Sequence, residues 1–415
     1  MREHELRRQV VEEMHLRRWP ELPASGEILQ IIRAVSQEER HEEFQRLVEA
    51  LQPGSDRPAE GDRHIAGNLA TGVQFAWERH TEGSSLALFA GGADASDRIE
   101  AQRAWLEDFP GAAVRATRIL LVEDGDAASA TMGSLGFNSS ELVSSRLGTG
   151  VQFWTDFRIH DRGYGRVLVA ANGCDPVALS RSVQQLQELG NYRNLALLAL
   201  PVVREQWTKL DDLEASLRSF AADVSDPEKQ DDTLLDKVSG LSLELTNLTN
   251  RISYRLDATK AYAELVEERL DGLAPERVEG CLSLREFTRR RFLPAVRTCA
   301  AHRDRLQRLS ERAADMTALL RARIETRIEN QNARLLESMD RNSQRQLRLQ
   351  QLVEGFSIFA LTYYGIGLLG YVLEALEHVV PLGSHDLIKG IAVPVLMVCI
   401  WSVVHVLKHR ILRKE

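Results

Sequence analysis

Two long apolar runs near the C-terminal end constrain this chain more than any other feature of its sequence. Gly355 to Leu373 is a run of 19 residues without a charged side chain, and Gly390 to Leu407 is a second run of 18. Because a helix rises about 1.5 Å per residue, roughly 20 apolar residues cross the hydrocarbon core of a bilayer. The sequence therefore predicts two transmembrane helices, at residues 351–376 and 389–408.

The charges around the two runs predict how they cross the membrane. Acidic residues lie in and beside the short connector, residues 377–388, and they are Glu374, Glu377 and Asp386. Basic residues flank the other ends of the runs, and they are Arg341, Arg345, Arg348, Lys408, Arg410, Arg413 and Lys414. By the positive-inside rule, the connector is an outer loop, residues 409–415 form a basic tail, and both termini are cytoplasmic. The first 19 residues are charged throughout, which predicts that no secretory signal peptide is present.

Composition narrows the class of protein further. The chain has 52 basic and 60 acidic residues and a net charge of −8, which argues against a general nucleic-acid-binding protein. Its four cysteines show no C-x-x-C spacing. A disulfide framework or a zinc site is therefore not expected, and a reducing compartment suits the part outside the membrane.

The chain before the apolar runs divides into two regions of different character. Residues 1–175 alternate between strand-like apolar runs and amphipathic helical stretches, which predicts a mixed α/β cytoplasmic domain. Residues 176–350 predict a helical stalk with coiled-coil character, whose first helix has Asp175 as its N-cap and Pro176 at its first position. No Gly or Pro occurs in residues 295–354, so one helix is expected to continue into the first span. The predicted fold class is α+β, with the stalk and two C-terminal transmembrane helices following the α/β domain.

The two halves of the helical region differ in charge. Residues 223–279 contain 14 acidic and 7 basic residues, whereas residues 281–348 contain 16 arginines and 8 acidic residues. Two alternatives stay open at this point. The halves pack side by side with opposite charge, or they present two solvated faces of uneven composition.

Gly365-Ile366-Gly367-Leu368-Leu369-Gly370 matches the G-x-G-x-x-G dinucleotide fingerprint by its letters. That chemistry needs a strand before the glycines and free amides at a helix N-terminus. Here the glycines lie inside an apolar run, where backbone amides stay bonded within the helix. Close helix–helix packing is therefore the favoured interpretation.

Polar side chains cluster in two strand-like segments of the α/β domain. In "WERHTE" these are Glu78, His80 and Glu82, a set that can perform acid–base chemistry or bind a metal. A salt-bridged strand end is the favoured alternative. In "WTDFRI" they are Asp156 and Arg158, for which a structural ion pair is expected. His405 and His409 have a metal-compatible i, i+4 spacing, but histidines at the membrane interface are favoured, and the question of a metal stays open.

Polar and small residues of the first apolar run follow three- and four-residue spacing. We treat them as candidates to line a pore: Gln351, Glu354, Ser357, Leu361, Tyr364, Gly365, Gly367 and Leu368. Polar groups on a spanning helix often face a protein interface or a water path. For Glu354 the alternative is that its carboxylate reaches the interfacial water.

No nucleophile elbow, Walker A, zinc-protease or kinase motif occurs. The sequence therefore predicts no catalytic residues and no cofactor, and we expect a protein that is not an enzyme. A membrane enzyme using the Glu78 and His80 region is a distant alternative.

Segments along nearly the whole chain resemble a bacterial family of membrane-anchored proteins catalogued as domain of unknown function 3422. They are "HLRRWP", "WERHTE", "WTDFRI", "YRNLALLALP", "YRLDATKAYAELVEERL", "RTCAA" and "LLESMDRNSQRQLRLQQLVEG", the last running into "YYGIGLLGY". The resemblance implies a protein of the bacterial inner membrane and implies no activity.

The layout also resembles that of the CorA-like magnesium channels, which have an α/β head, a long helix feeding the first of two C-terminal spans, and an acidic outer loop. The resemblance implies a homo-oligomer, a pentamer if CorA-like, in which the first span lines the pore. The signature Gly-Met-Asn of that family follows a tyrosine, and Tyr364 and Gly365 stand in a similar place here. Ile366 and Gly367 replace the methionine and the asparagine, and the motif lies in the middle of the span.

Two functions are therefore expected from the sequence. The first is an oligomeric inner-membrane ion channel or transporter, with a divalent cation as transported ion or regulator. The second is a membrane-anchored scaffold, or a protein that binds a ligand or partner without transport. In both cases the lipid bilayer is a partner and nucleic acid is not.

Overall fold

The computed structural model describes residues 3–7, 10–11, 14, 17–52, 58–59, 61–226, 228–377 and 385–412. The side chains of residues 373, 376–377, 385–389 and 407–412 lie outside that description. The chain forms two compact units, Met1–Thr317 and Ala318–Glu415.

A nine-stranded mixed sheet forms the centre of the first unit. Its strands are β1 (Gly26–Ala34), β2 (His64–Ala70), β3 (Val73–Arg79), β4 (Gly83–Gly91), β5 (Ala112–Val122), β6 (Val143–Arg146), β7 (Gln152–Thr155), β8 (Gly165–Ala170) and β9 (Glu276–Arg277). Their spatial order is β2-β3-β4-β1-β5-β8-β7-β6-β9. Neighbouring strands are antiparallel except for the parallel pair β5 and β8.

Helices lie between the strands along the chain and after them. They are α1 (Arg40–Ala50), α2 (Ala95–Glu107), α3 (Gly125–Met132), α4 (Pro176–Leu197), α5 (Ala199–Val224), α6 (Asp231–Leu273), α7 (Leu284–Phe287), α8 (Leu293–Glu377) and α9 (His385–Leu412). A π-helical turn, Thr288–Phe292, joins α7 to α8. The combination of a sheet with long helices confirms the predicted α+β class.

Strand β1 lies inside the sheet, and its sequence, GEILQIIRA, has large apolar residues on both faces. Ile28 and Ile32 face the core that α4, α6 and α7 complete, while Leu29 and Ile31 face the core beneath α1 and α2. The sheet is thus covered by helices on both sides, and α4 lies on one side of it.

Helix α4 begins where the sequence predicts. The side chain of Asp175 accepts hydrogen bonds from the backbone N–H groups of Val177 and Ala178, at 3.1 and 3.0 Å, and Pro176 occupies the first turn. This cap orients the helix that supplies most of the polar residues described below.

Helices α5, α6 and the first part of α8 share a second apolar core. Leu210 of α5, Ile252 of α6 and Leu306 of α8 belong to it. Two ion pairs join the acidic and basic halves of the helical region, Arg303 with Asp257 and Arg285 with Asp271, each at 2.9 Å. These contacts support the side-by-side alternative.

The second unit consists of the rest of α8 together with α9. Helix α8 continues without a break for 85 residues, as the absence of Gly and Pro from residues 295–354 predicts for that part. Among the described residues, the helical segment Leu284–Val372 is long and apolar enough to cross a membrane, and Gly390–Val406 is a shorter apolar stretch. The first predicted span thus has the length and composition required, and the second stays a prediction.

The glycines of the fingerprint lie within α8, with no strand before them. A Cβ on Gly365 would overlap the Cδ2 atom of Leu396 on α9, whereas Gly367 has open space around it. Close packing of two helices therefore explains Gly365, in agreement with the favoured interpretation.

Candidate functional site

A cleft of about 820 Å³ lies beside α4 in the first unit. Its walls come from the segment before β1, from β3, from α4 and from α6. The lining residues are Arg17, Arg18, Trp19, Pro20, Glu21, Glu78, Val177, Ser180, Arg181, Gln184, Gln185, Glu188, Tyr192 and Arg269. Glu78 is thus one predicted site residue that the structure places in a large cavity.

The spacing of polar residues on α4 builds one wall of the cleft. Gln184, Glu188 and Tyr192 are four residues apart, so they lie on one face of the helix. Gln184 holds the N-terminal segment on this face, because its Nε2 donates to the carbonyl oxygen of Arg17 at 2.8 Å and its Oε1 accepts from the N–H of Trp19 at 3.2 Å. The segment is therefore a fixed wall of the cleft.

Two carboxylates in the cleft each have an arginine partner. Arg17 Nη1 lies 3.2 Å from Glu78 Oε1, and Arg269 Nε lies 2.7 Å from Glu188 Oε2. Burial raises the pKa of Glu188 above its ordinary value; Arg269 opposes this effect and Glu78 adds to it. Glu188 therefore takes up a proton more readily than an ordinary glutamate does.

His80 lies at the floor, a separate cavity of about 10 Å³ that shares five lining residues with the cleft. The residues that line it are Trp19, Gln30, Glu78, His80, Ser85, Gln184, Glu188, Asn191 and Tyr192. Burial lowers the pKa of His80 to about 4, with Glu188 opposing the shift and Arg17 reinforcing it. At neutral pH its imidazole is uncharged and offers one hydrogen-bond donor and one acceptor.

Two further polar groups complete the floor. Gln30 is 3 % exposed and its Oε1 has no hydrogen-bond partner within the described part of the chain. Tyr192 stacks on Tyr262 with ring centroids 5.9 Å apart, and burial raises its pKa to about 12. A carbonyl oxygen without a partner beside a neutral phenol is suited to a polar ligand group or a water molecule.

The rim of the cleft carries two positive charges and one negative charge, because the exposed Glu21 also lines it. Arg18 and Arg181 line it and are exposed. Within the ranges that the structure describes, no group of three or more His, Cys, Asp or Glu side chains could hold a metal ion. The arrangement is therefore suited to a small organic molecule with an anionic part at the rim and hydrogen-bonding groups at the floor.

The remaining residues of the "WERHTE" cluster do not join this site. Glu82 accepts from Arg255 Nη1 at 2.9 Å, a contact that ties the β3–β4 turn to α6. The guanidinium of Arg79 lies over the Trp77 ring, 5.1 Å from its centroid. Glu78 and His80 of this segment thus belong to the candidate site, whereas Arg79 and Glu82 make structural contacts.

The expected ion pair between Asp156 and Arg158 is not formed. Arg158 Nε pairs with Glu141 Oε2 at 2.5 Å. Asp156 accepts from His160 Nε2 at 3.0 Å and from the backbone N–H groups of Asn138 and Arg158, each at 3.1 Å. Burial opposes the shift, but these hydrogen bonds hold the pKa of Asp156 below its ordinary value. Phe157, between the two residues, has a left-handed backbone with φ of 54°.

The pore candidates all lie on α8 in the second unit and differ in exposure. Gln351, Ser357, Leu361, Tyr364, Gly367 and Leu368 are exposed or partly exposed, whereas Glu354 and Gly365 are partly covered. Glu374 is exposed. The side chains of Glu377, Asp386 and His409 lie outside the described residues.

The sequence did not single out Glu188, Tyr192 or Arg269 as site residues. The only available signal was a carboxylate among the apolar residues of α4, which is uncommon in a helix that packs on a sheet. Arg269 lies 81 positions from Glu188, and only the packing of α4 on α6 brings the two together.

Comparison with curated proteins and with solved structures found no match. One family matches residues 2–411, nearly the whole chain, and its description is "Protein of unknown function (DUF3422)". The chain therefore belongs to the DUF3422 family.

Proposed function

We propose that this protein is a membrane-anchored ligand-binding protein, whose α+β unit binds a small organic molecule in the cleft beside α4. The observation that carries the proposal is the cleft of about 820 Å³, which is lined by several charged residues of both signs. Ligand sites are usually preformed concave pockets with a few placed polar groups and titratable residues of shifted pKa.

The charges of the cleft define the class of ligand. Arg18 and Arg181 at the rim suit a carboxylate or phosphate. Glu78, Glu188 and neutral His80 at the floor suit amine or hydroxyl groups. The expected ligand is therefore a small molecule that carries both an anionic group and hydrogen-bond donors.

Mass spectrometry of the full-length protein, purified from membranes in mild detergent, tests this function. We expect a small molecule bound at one copy per chain in the wild type and absent from Glu188→Gln and Arg181→Gln. Glu205→Gln removes an exposed carboxylate on α5 and serves as the control that retains the molecule. If the wild-type protein carries no small molecule that is missing from Glu188→Gln, the proposal is wrong.

Anchoring in the bacterial inner membrane, with both termini in the cytoplasm, is part of the proposal. It is supported by the apolar segment of α8 and by the basic residues that flank the two apolar runs. Cysteine labelling in intact cells tests the topology on a background in which Cys399, which lies inside the second run, is replaced. A cysteine placed in residues 378–384 should react with an impermeant reagent, whereas Cys174 should react only after lysis.

A second candidate function is a CorA-like ion channel, a homo-oligomer with a divalent cation as its transported ion. One observation favours it: Leu361, Tyr364 and Leu368 form an exposed row along α8, with 52, 70 and 67 % of their surfaces accessible. A pore built from such helices needs several copies, five if CorA-like. Purified protein in liposomes that conducts neither divalent nor monovalent cations would exclude the channel and leave the ligand-binding proposal standing.

A further inference from the structure

Two arginines lie close together in the first unit without any acidic partner among the described residues. They are Arg115 on β5 and Arg193 on α4, and both line a cavity of about 210 Å³. Burial lowers the pKa of Arg115 to about 9, and the charge of Arg193 adds to this shift. Burial likewise lowers the pKa of Arg193 to about 10. Two neighbouring cations without a compensating anion are uncommon inside a protein.

Arg115 is held in place by uncharged groups. Its Nη1 donates to Asn191 Oδ1 at 2.7 Å. A Cβ on Gly190 would lie 2.8 Å from the Cζ and Nη2 atoms of Arg115, so the absence of a side chain there makes room for the guanidinium. The arginine is therefore positioned by α4 although no carboxylate of the described chain neutralises it.

Arg193 is more deeply buried, with 8 % of its surface exposed. Its Cζ lies 4.1 Å from the centroid of the Phe157 ring and 5.7 Å from that of Phe287, and the two rings stack at 4.2 Å. Aromatic faces attract a cation but accept no conventional hydrogen bond from it. The Nη1 atom of Arg193 has no hydrogen-bond partner within the described ranges.

The backbone near the cavity keeps this arrangement in place. Phe157 adopts a left-handed conformation, with φ of 54°, which is unfavourable for a residue with a Cβ. The conformation places the Phe157 ring beneath Arg193 and against Phe287. Strained residues of this kind tend to persist at sites where geometry serves a function.

The other two arginines that line the cavity already have partners. Arg158 pairs with Glu141, and Arg166 Nη2 lies 3.5 Å from Asp161 Oδ2. The positive charge directed at the cavity therefore comes from Arg115 and Arg193. A water molecule takes about 30 Å³ of liquid volume, so the cavity has room for a small tetrahedral anion.

We propose that this cavity is an oxyanion site, which binds a phosphate group between the guanidinium groups of Arg115 and Arg193. A phosphate oxygen supplies the acceptor that Arg193 Nη1 lacks, and guanidinium donors match phosphate geometry. The bound anion also compensates two charges that no carboxylate of the described chain compensates. Of the cleft residues proposed above to bind an organic molecule, none lines this cavity.

Thermal unfolding of the full-length protein in detergent, at constant ionic strength, tests the site with inorganic phosphate as the probe. We expect phosphate to raise the melting temperature in a concentration-dependent way, because ligands that bind the folded state stabilise it. Chloride at the same ionic strength should not do so. A parallel titration with glycerol 3-phosphate distinguishes the free ion from a phosphoryl group on a larger molecule. Stabilisation by the ester at lower concentration than by phosphate assigns the site to such an ester, and the reverse assigns it to the ion.

Three variants complete the test. Arg193→Gln and Gly190→Ala should each weaken the apparent affinity for phosphate at least tenfold, the first by removing a donor and the second by displacing Arg115. Arg285→Gln, which removes an exposed arginine of another ion pair, should leave the affinity unchanged. Without phosphate, Arg193→Gln should melt no earlier than the wild type, since it removes a buried charge without an acidic partner.

If phosphate and chloride shift the melting temperature equally, the anions act on the protein surface and no such site exists. If Arg193→Gln melts earlier and phosphate still stabilises it as it does the wild type, Arg193 is a structural residue only. Neither result bears on the ligand proposed for the cleft, because that proposal is tested with other variants, Glu188→Gln and Arg181→Gln.

Discussion

Arg269 Nε donates to Glu188 Oε2 at 2.7 Å and thereby joins α6 to α4 at the edge of the cleft. Both side chains are mostly buried, with 30 and 20 % of their surfaces exposed. Glu78, a second carboxylate, raises the pKa of Glu188 from across the cleft. Arg269 therefore compensates the charge of Glu188, which would otherwise face only the like charge of Glu78.

Replacing Arg269 by Gln should lower the free energy of unfolding by about 1–3 kcal/mol, because a partly buried carboxylate loses its partner. Urea unfolding of the full-length protein, followed by a probe in the first unit, measures this change. Arg285→Gln is the matched control, since its exposed pair with Asp271 should contribute less than about 1 kcal/mol. The double variant Arg269→Gln with Glu188→Gln should recover part of the loss. Equal stability of Arg269→Gln and Arg285→Gln would contradict the prediction.

His80 should make the folded state less stable as the pH falls. The folded protein has a His80 pKa of about 4, against an ordinary value of 6.5, so only the unfolded chain takes up this proton between those values. The stabilising contribution is therefore complete above pH 6.5 and is lost as the pH approaches 4. Its size is at most about 3 kcal/mol, because a tenfold change in a protonation equilibrium corresponds to about 1.4 kcal/mol.

Comparison of wild type with His80→Gln isolates this effect. Glu188 acts in the opposite direction, since its raised pKa adds stability at low pH that is lost as the pH rises. Because Glu188 remains in both proteins, the difference in their unfolding free energies between pH 4 and pH 7 reports mainly His80. If the free energy of unfolding depends on pH in the same way in both proteins, His80 has an ordinary pKa in the folded state.

The sequence predicts the elements that its own residues determine. The apolar run of β1 and the cap at Asp175 and Pro176 are local signals, and the structure has both. Strand β9 has two residues, Glu276–Arg277, and forms because it pairs with Ser145 and Arg146. No pattern in two charged residues predicts a strand, so such an element depends on a partner distant in sequence.

The same reason limits what could be predicted of the two sites. Side chains alternate along a strand, so the sequence of β3 and the residue after it predicts that Glu78 and His80 share one face. The arginines of the cleft, Arg17 and Arg269, come from other parts of the chain. Likewise Arg115 meets Asn191 across 76 positions, and only the packing of α4 over β5 reveals that contact.

Gly365 should be more sensitive to a larger side chain than Gly367, although both lie in the same turn of α8. A side chain at Gly365 meets Leu396 on α9, whereas Gly367 has open space. Gly365→Leu should therefore lower the melting temperature of the protein in detergent and Gly367→Leu should not. Adding Leu396→Ala to Gly365→Leu should restore part of the loss, because it opens room for the new side chain. Similar melting of the two single variants would mean that α8 and α9 do not pack closely at this point.

The end of α6 offers a change that should stabilise the protein. Ala274 follows the helix in a left-handed conformation, with φ of 41° and ψ of 56°, and its N–H bonds to the carbonyl of Asp271. Glycine adopts this conformation without the steric cost of a Cβ, so Ala274→Gly should raise the free energy of unfolding by about 0.5–1 kcal/mol. Ala261 is exposed within the same helix, where the identical change should cost about 1 kcal/mol. Urea unfolding of both variants tests the conformation of residue 274, because the two substitutions should change the free energy of unfolding in opposite directions. If Ala274 were right-handed, both substitutions would lower it.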